Sequence, residues 1–261
     1  TPFGAPSDRL VEARVAGRPV IFLPRHGRGH RLLPGEVNSR ANVHALKQLG
    51  VTHVLAVSAV GIMQEEIHPG DMVVPDQLFD RTRGVRASTF FGEGIAGHVA
   101  FADPFCHELS AVVAAAARAV GATIHEGGTY VCMEGPQFST RAESRFYRAQ
   151  VGAAVIGMTA LPEAKLAREA ELAYAMLAMG TDYDCWHETE EDVSIDAVLR
   201  VMRQNAERAN AIVRLVAETL PERADCPCLH AARYAIITAP EAIPDRVRAR
   251  LRVLWGRYLD R

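Results

Sequence analysis

The sequence predicts an α/β fold: a sheet covered by helices on both faces. Three observations predict it. Short apolar runs alternate with helical stretches through most of the 261 residues. Apolar residues make up 49% of the chain, enough for a sizeable core. Polar clusters fall where the apolar runs stop, and in open α/β sheets ligands bind at the carboxyl ends of strands.

Taken in order, Pro19 to Leu23 reads as a buried strand that ends in the polar turn Arg25-His26-Gly27-Arg28. Ala41 to Leu49 reads as a helix stopped by Gly50. His53 to Val57 is a second strand, running into Ser58-Ala59-Val60-Gly61, and Met72 to Val74 is a third. A polar, glycine-rich loop extends from there to Gly97. Asp103-Pro104 is a helix start, an N-cap residue type with Pro at the first helical position, and that helix runs to about Val120. Thr129 to Met133 is a strand before the loop Glu134-Gly135-Pro136. Arg141 to about Gln150 is helical, and Ala154 to Met158 is a strand. Thr159 caps a helix beginning near Pro162, with Glu163 in its first turn. Leu172 to Met179 is a strand ending in Gly180-Thr181-Asp182-Tyr183-Asp184. Ser194 caps a long helix to about Leu220, and a last helix from Pro244 puts Val247, Leu251, Leu254 and Tyr258 on one face.

Composition narrows the function. With 29 basic and 31 acidic residues, the chain lacks the electrostatic footprint of a protein that binds nucleic acid or an anionic membrane. No apolar run approaches the ~20 residues a membrane span needs. No basic start followed by an apolar stretch marks a secretory signal. The five cysteines, three of them scattered singly (Cys106, Cys132 and Cys185), then fit reduced thiols in the cytoplasm.

The clusters suggest chemistry. Arg25 offers a planar fork of donors for phosphate and His26 adds one more; a basic surface turn is the equal alternative. His26 and His30 are four apart, but Gly27 and Gly29 between them argue against a helix and hence against a metal pair. Ser58 and Ala59 supply a hydroxyl and backbone N–H groups to an anion, and Thr159 at a helix start does the same unless it is an ordinary N-cap. Asp182 and Asp184 are more informative. A protonated carboxyl donates to N7 of a purine while a second oxygen accepts from an amino group, which suits general acid work on a poor leaving group. A solvated acidic loop is the competing reading. Phe138 beside Gly135-Pro136 is placed to stack on a base, although one loop aromatic is more often core.

The strings TPFGAPSD, RHGRGH, VNSRANVHALKQLG, EIHPGDMVVPDQLFDRT, EGPQFSTRAES, MTALPEAKLA and GTDYDCW, in this order, resemble the methylthioadenosine phosphorylase family of trimeric purine nucleoside phosphorylases. The likeness spans residue 1 to about 220. It implies a nucleoside phosphorylase fold, a mixed and partly barrel-like sheet surrounded by helices, in a single domain over residues 1–261. It implies a homotrimer or dimer of trimers with sites between subunits. The resemblance puts Arg25, His26, Ser58, Ala59 and Thr159 at phosphate, Met158 under the ribose, and Phe138, Asp182 and Asp184 at the purine. It puts Ile195 and Val198 around a 5'-methylthio group, and His98 in a neighbouring subunit's pocket. The implied reaction splits 5'-methylthioadenosine with phosphate, in methionine and purine salvage, and takes no metal and no organic cofactor. A 6-oxopurine phosphorylase acting on methylthioinosine, inosine or guanosine is the nearest alternative, and that branch tends to carry Asn at position 182. A hydrolase or a non-catalytic nucleoside-binding protein is more distant. The resemblance also implies a strand and a Gly-Gly-Thr-Gly type phosphate turn upstream of Thr1. Residues 221–261 read as a C-terminal extension of prokaryotic type. Its Cys226-Pro227-Cys228 suits metal, redox exchange, a strained disulfide or, favoured here, two reduced thiols.

Overall fold

The computed structural model describes residues 1–187, 195–221 and 226–259, without the side chains of residues 195–200 and 202. Seven strands form the central sheet: β3 (His53–Ile62), β4 (Met72–Val74), β5 (Gln77–Arg81), β6 (Ile124–Glu126), β7 (Thr129–Met133), β8 (Ala153–Gly157) and β9 (Ala173–Tyr183). Their order is β5-β7-β8-β3-β9-β4-β6. The sheet is mixed. β3 runs parallel to β9 but antiparallel to β8, and β4 runs antiparallel to β9. The middle strands β8 and β9 are apolar and buried almost throughout, because helices cover both faces.

The remaining strands, β1 (Val11–Val15) and β2 (Arg18–Phe22), make an antiparallel hairpin outside the central sheet. Its turn residues Ala16 and Gly17 have φ of 49° and 81°, the left-handed pair that a two-residue hairpin requires. The expected strand at Pro19 is therefore present, but no residue of β2 is buried. Its apolar residues have one partner strand, so they are only half covered.

The helices are α1 (Ser39–Gln48), α2 (His107–Ala119), α3 (Arg141–Phe146), α4 (Ala160–Glu169), α5 (Ile195–Thr219) and α6 (Asp245–Leu259). Asn38 caps α1 by accepting from the Ala41 N–H at 3.1 Å. α2 starts at His107 and not at Asp103-Pro104: the backbone N–H of Cys106 donates to Tyr174 O on β9 at 2.7 Å, which draws the preceding residues onto the sheet. β5 and β6, absent from the sequence reading, are short edge strands with no buried residue. α2 and α5 pack together against β9, while α1 packs on α4 and α6. The core is accordingly split into two main layers, one on each face of the sheet. Among the described residues no helix is long and apolar enough to cross a membrane.

The segment after residue 221 docks through one buried carboxylate. Glu171, 1% exposed, accepts from the Ala232 N–H at 3.1 Å and the Tyr258 hydroxyl at 2.7 Å, and pairs with Arg257. Val247, Leu251 and Leu254 of α6 are buried as expected, joined by Trp255, whose indole N–H donates to Glu169 O at 2.8 Å. Tyr258 is only half buried, since its hydroxyl turns to Glu171.

Candidate active site

The position of Thr159 follows from strand direction. β8 lies antiparallel to β3, with Ile62 opposite Val155 and Gly61 opposite Ile156. Carrying that register three residues onward sets Thr159 opposite Ser58, and their hydroxyls lie 3.0 Å apart. Ser58 and Ala59 are thus inside β3 and not beyond its end, as the sequence reading had them. The strand continues to Ile62 because it pairs with β9 as far as Tyr183. Thr159 is no ordinary N-cap. Its side chain caps no amide of α4, Leu161 has non-helical φ/ψ of −116° and 138°, and the Thr159 N–H donates to the Tyr130 hydroxyl at 3.4 Å.

Arg25 reaches the same strand from the turn after β2. Its Nη2 donates to Val57 O at 3.2 Å, and its Nη1 lies 3.2 Å from Glu163 Oε2, both side chains being 14% exposed. This is a buried ion pair, which excludes the reading of Arg25 as a basic surface turn. Burial works to lower the pKa of Arg25, but Glu163 prevails and the net shift is upward. Glu163 also accepts from the Tyr174 hydroxyl at 2.9 Å. His26 Nδ1 donates to Leu32 O at 2.9 Å, and its ring stacks on His30 at 4.5 Å and 9°. Stacked face to face, the two rings do not converge on a shared ion. Burial is the main cause that depresses the His26 pKa. The neutral ring, with its proton held on Nδ1 by the carbonyl, presents Nε2 as an acceptor.

A bulge shapes the opposite side. Val60 pairs with Gly180 and Gly61 with Asp182, which leaves Thr181 as the extra residue in β9. The Thr181 hydroxyl reaches both Val60 O, at 3.1 Å, and Asp182 Oδ1, at 2.5 Å. Asp182 is therefore the penultimate residue of β9, half buried, with its carboxylate held by its own neighbour. Asp184 follows the strand, and its N–H donates to Ile62 O at 3.2 Å. The same carbonyl accepts from Trp186 Nε1 at 2.7 Å, while Arg148 lies 3.4 Å over the indole face. Asp184 is 8% exposed, and its Oδ2 is buried without a hydrogen-bond partner among the described residues. An unmet buried acceptor costs about 1–3 kcal/mol, which a ligand N–H would recover.

Met158 packs its sulfur against Gly135, where an added Cβ would stand 2.4 Å away. Phe138 is 80% exposed in the described chain. Its loop is nevertheless tied to the aspartates, because Cys185 Sγ donates to Ser139 O at 3.4 Å. The side chains of Ile195 and Val198, at the start of α5, lie outside the described residues.

Comparison with known proteins shows the family. Residues 1–218 match the sequence profile of the Phosphorylase superfamily. The S-methyl-5'-thioadenosine phosphorylase of Geobacter sulfurreducens is 56% identical over 259 residues, covering 99% of this chain and 90% of that protein. The enzyme of the same name from Chloroflexus aurantiacus is 54% identical over 258 residues, covering 99% and 89%. The crystal structure of a methylthioadenosine phosphorylase from an antarctic soil metagenomic library superposes with a TM-score of 0.93 at 47% identity, over 97% of this chain and 89% of that one. The methylthioadenosine phosphorylase of Schistosoma mansoni in complex with adenine gives 0.83 at 38% identity, over 94% and 90%. This chain belongs to the phosphorylase superfamily, among the S-methyl-5'-thioadenosine phosphorylases.

Within this phosphorylase, two residues that sequence reasoning passed over organise the site. Arg86, its side chain 5% exposed, donates to Glu134 Oε1 at 2.6 Å and to the carbonyls of Met158 and Leu161 at 2.7 Å each. It thereby locks the end of β7 to the end of β8 and sets where Met158 and Thr159 sit. Tyr130, fully buried on β7, holds the Thr159 N–H and occupies the space beside Gly157. Arg86 gave no local signal, since it lies in a polar loop with no periodicity. Tyr130 read only as part of an apolar strand. His98 stands apart from this phosphorylase cluster. It is exposed on a loop whose N–H donates to Ala235 O at 2.9 Å, and none of its described contacts reaches the site residues.

Proposed function

We propose that the chain catalyses phosphorolysis of 5'-methylthioadenosine to adenine and 5-methylthioribose 1-phosphate, a pentosyl transfer. The observation that carries it is the pairing of two facing hydroxyls, Ser58 and Thr159, with a carboxylate pair one bulge away at Asp182 and Asp184. Displacement at the anomeric carbon leaves an oxocarbenium-like sugar and an electron-rich purine. Phosphate must be held below the sugar, and a proton or hydrogen bond must meet N7 above it. The first task falls to Arg25, His26, Ser58, the Ala59 backbone and Thr159. Asp182 serves N7, and the unmet acceptor of Asp184 takes the amino group. Met158, Phe138, Ile195 and Val198 enclose the ribose, the base and the methylthio end. Phosphate is a substrate, and these steps call for no metal or organic cofactor.

The exposure of His98 and Phe138 fits a site completed by a second subunit in a homotrimer or dimer of trimers. The five free cysteines fit a reducing, cytoplasmic setting. Product analysis tests the reading, with methylthioadenosine and methylthioinosine side by side and with phosphate present or withheld. Adenine together with a sugar phosphate, formed only when phosphate is present, is the expected result. Free methylthioribose would indicate a hydrolase, and preference for methylthioinosine would indicate a 6-oxopurine enzyme; either overturns the proposal.

A further inference from the structure

Three of the five cysteines, far apart in sequence, meet inside the molecule. Cys106 sits at the N-cap position of α2. Cys226 and Cys228 flank Pro227 at the start of a short 3-10 turn, Pro227–His230. The three Sγ atoms lie within 4.8 Å of one another, and those of Cys106 and Cys226 are 3.2 Å apart. Exposure is 1%, 2% and 8% for Cys106, Cys226 and Cys228, and the thiols are enclosed by the core layer that holds Leu109, Val113 and Ile212. None of them touches the phosphate or purine residues.

We propose that Cys106, Cys226 and Cys228 form a three-thiolate zinc site that pins the C-terminal segment to α2 and β9. Zinc–thiolate bonds are about 2.3 Å long, so tetrahedral ligands stand roughly 3.8 Å from each other. The Cys106–Cys226 separation of 3.2 Å is somewhat shorter than that spacing and the other two fall within 4.8 Å, so the three thiols already stand close enough to share one ion. A disulfide consumes two sulfurs at about 2.05 Å and gives the third no task; the ion uses all three. The Cys-x-Cys pair supplies two ligands from one turn, and the helix start supplies the third. A solvent molecule takes the fourth position, on the side of Cys228, the least buried of the three. Binding exchanges three S–H protons for one divalent ion, which leaves a single negative charge on the three-thiolate group. The site is structural: Cys106 is bonded through its N–H to Tyr174 on β9, so the ion joins the chain after residue 221 to the central sheet.

The test uses the full chain, purified with a thiol reductant and without chelator. Elemental analysis is expected to find about one zinc per chain. After removal of zinc, anaerobic titration with cobalt(II) is expected to develop thiolate-to-cobalt charge-transfer absorption that saturates at about one equivalent. Zinc removal is expected to lower Tm by several degrees. Cys106→Ser and Cys228→Ser are each expected to lose the absorption, whereas Cys185→Ser keeps it. If one of the first two fails to fold, the other carries the test, since each removes one sulfur of the three. A reduced, folded chain that takes up neither ion overturns the proposal. So does cobalt absorption that survives both substitutions, or a metal-free chain isolated with two of these three thiols joined in a disulfide.

Discussion

Asp182 and His26 carry the sharpest expectations at the scale of single residues. Adenine presents an N6 donor beside the N7 acceptor, whereas hypoxanthine presents acceptors at both places. A carboxyl at 182 that shares a proton with N7 keeps an acceptor oxygen toward the 6-position beside Asp184, and against O6 this leaves acceptor against acceptor, at about 1–3 kcal/mol. Asp182→Asn is therefore expected to lose methylthioadenosine activity and gain relative activity on methylthioinosine, a swing of roughly 5- to 150-fold in the ratio of catalytic efficiencies. Kinetics of both substrates on both proteins decide it; an unchanged ratio removes Asp182 from base selection. His26 adds a pH dependence. Its Nδ1–H is committed to Leu32 O, so Nε2 donates to phosphate only when the ring is protonated. Burial first of all lowers its pKa, so the imidazolium, and with it the extra phosphate bond, is gained only as pH falls below the ordinary imidazole range and is absent at neutral pH and above. His26→Ala is expected to raise the phosphate KM by a factor that grows as pH falls, larger at about pH 5 than at about pH 8, where the ring is neutral. Because the wild type and the variant are compared at each pH, the titration of phosphate itself cancels. An equal ratio at both pH values contradicts the assignment.

At the scale of elements, the site is a product of how three strand ends are locked. Arg86 bonds Met133 O at the end of β7 and Met158 O just beyond β8, and the bulge at Thr181 turns Asp182 relative to Gly61. Gly135 shows how little room the lock leaves. Its φ is +70°, and a Cβ there would stand 2.4 Å from Met158 Sδ. Gly135→Ala adds backbone strain of about 1–3 kcal/mol and displaces the side chain placed under the ribose. The expected result is a higher KM for the nucleoside with the phosphate KM nearly unchanged. Equal increases in both, or none, would separate Met158 from the sugar.

At the scale of the whole molecule, Glu171 joins the C-terminal segment to the rest of the chain. It is 1% exposed and serves Ala232, Arg257 and Tyr258 together. Glu171→Ala removes the shared acceptor and leaves these donors without it, a loss of about 3 kcal/mol. For a chain of this size that corresponds to a Tm lower by roughly 6–12 °C. Thermal melting of this variant beside Glu241→Ala, an exposed position on the same segment, checks it. Equal Tm values for the two variants would show that the segment is held by its apolar contacts alone.

The sequence by itself determined the alternation of strands and helices and the family, because apolar periodicity and residue chemistry are local properties. It gave α1, β4, β7 and the buried stripe of α6 close to their observed limits. Strand direction was decided only by the tertiary structure. An apolar run such as Ala153–Gly157 buries equally well parallel or antiparallel to its neighbour, so nothing in it announces that β8 turns back along β3. That reversal, and not a shared edge of strand ends, is what brings Thr159 to Ser58. For the same reason the strands at His53 and Leu172 were read too short: a polar residue ends an apolar pattern, but it does not end a strand whose backbone still has a partner, as Ser58 and Asp182 do. The ion pair of Arg25 with Glu163 and the meeting of Cys106 with Cys226 join positions more than 100 residues apart. Side chains that distant become neighbours only through the packing of the whole sheet.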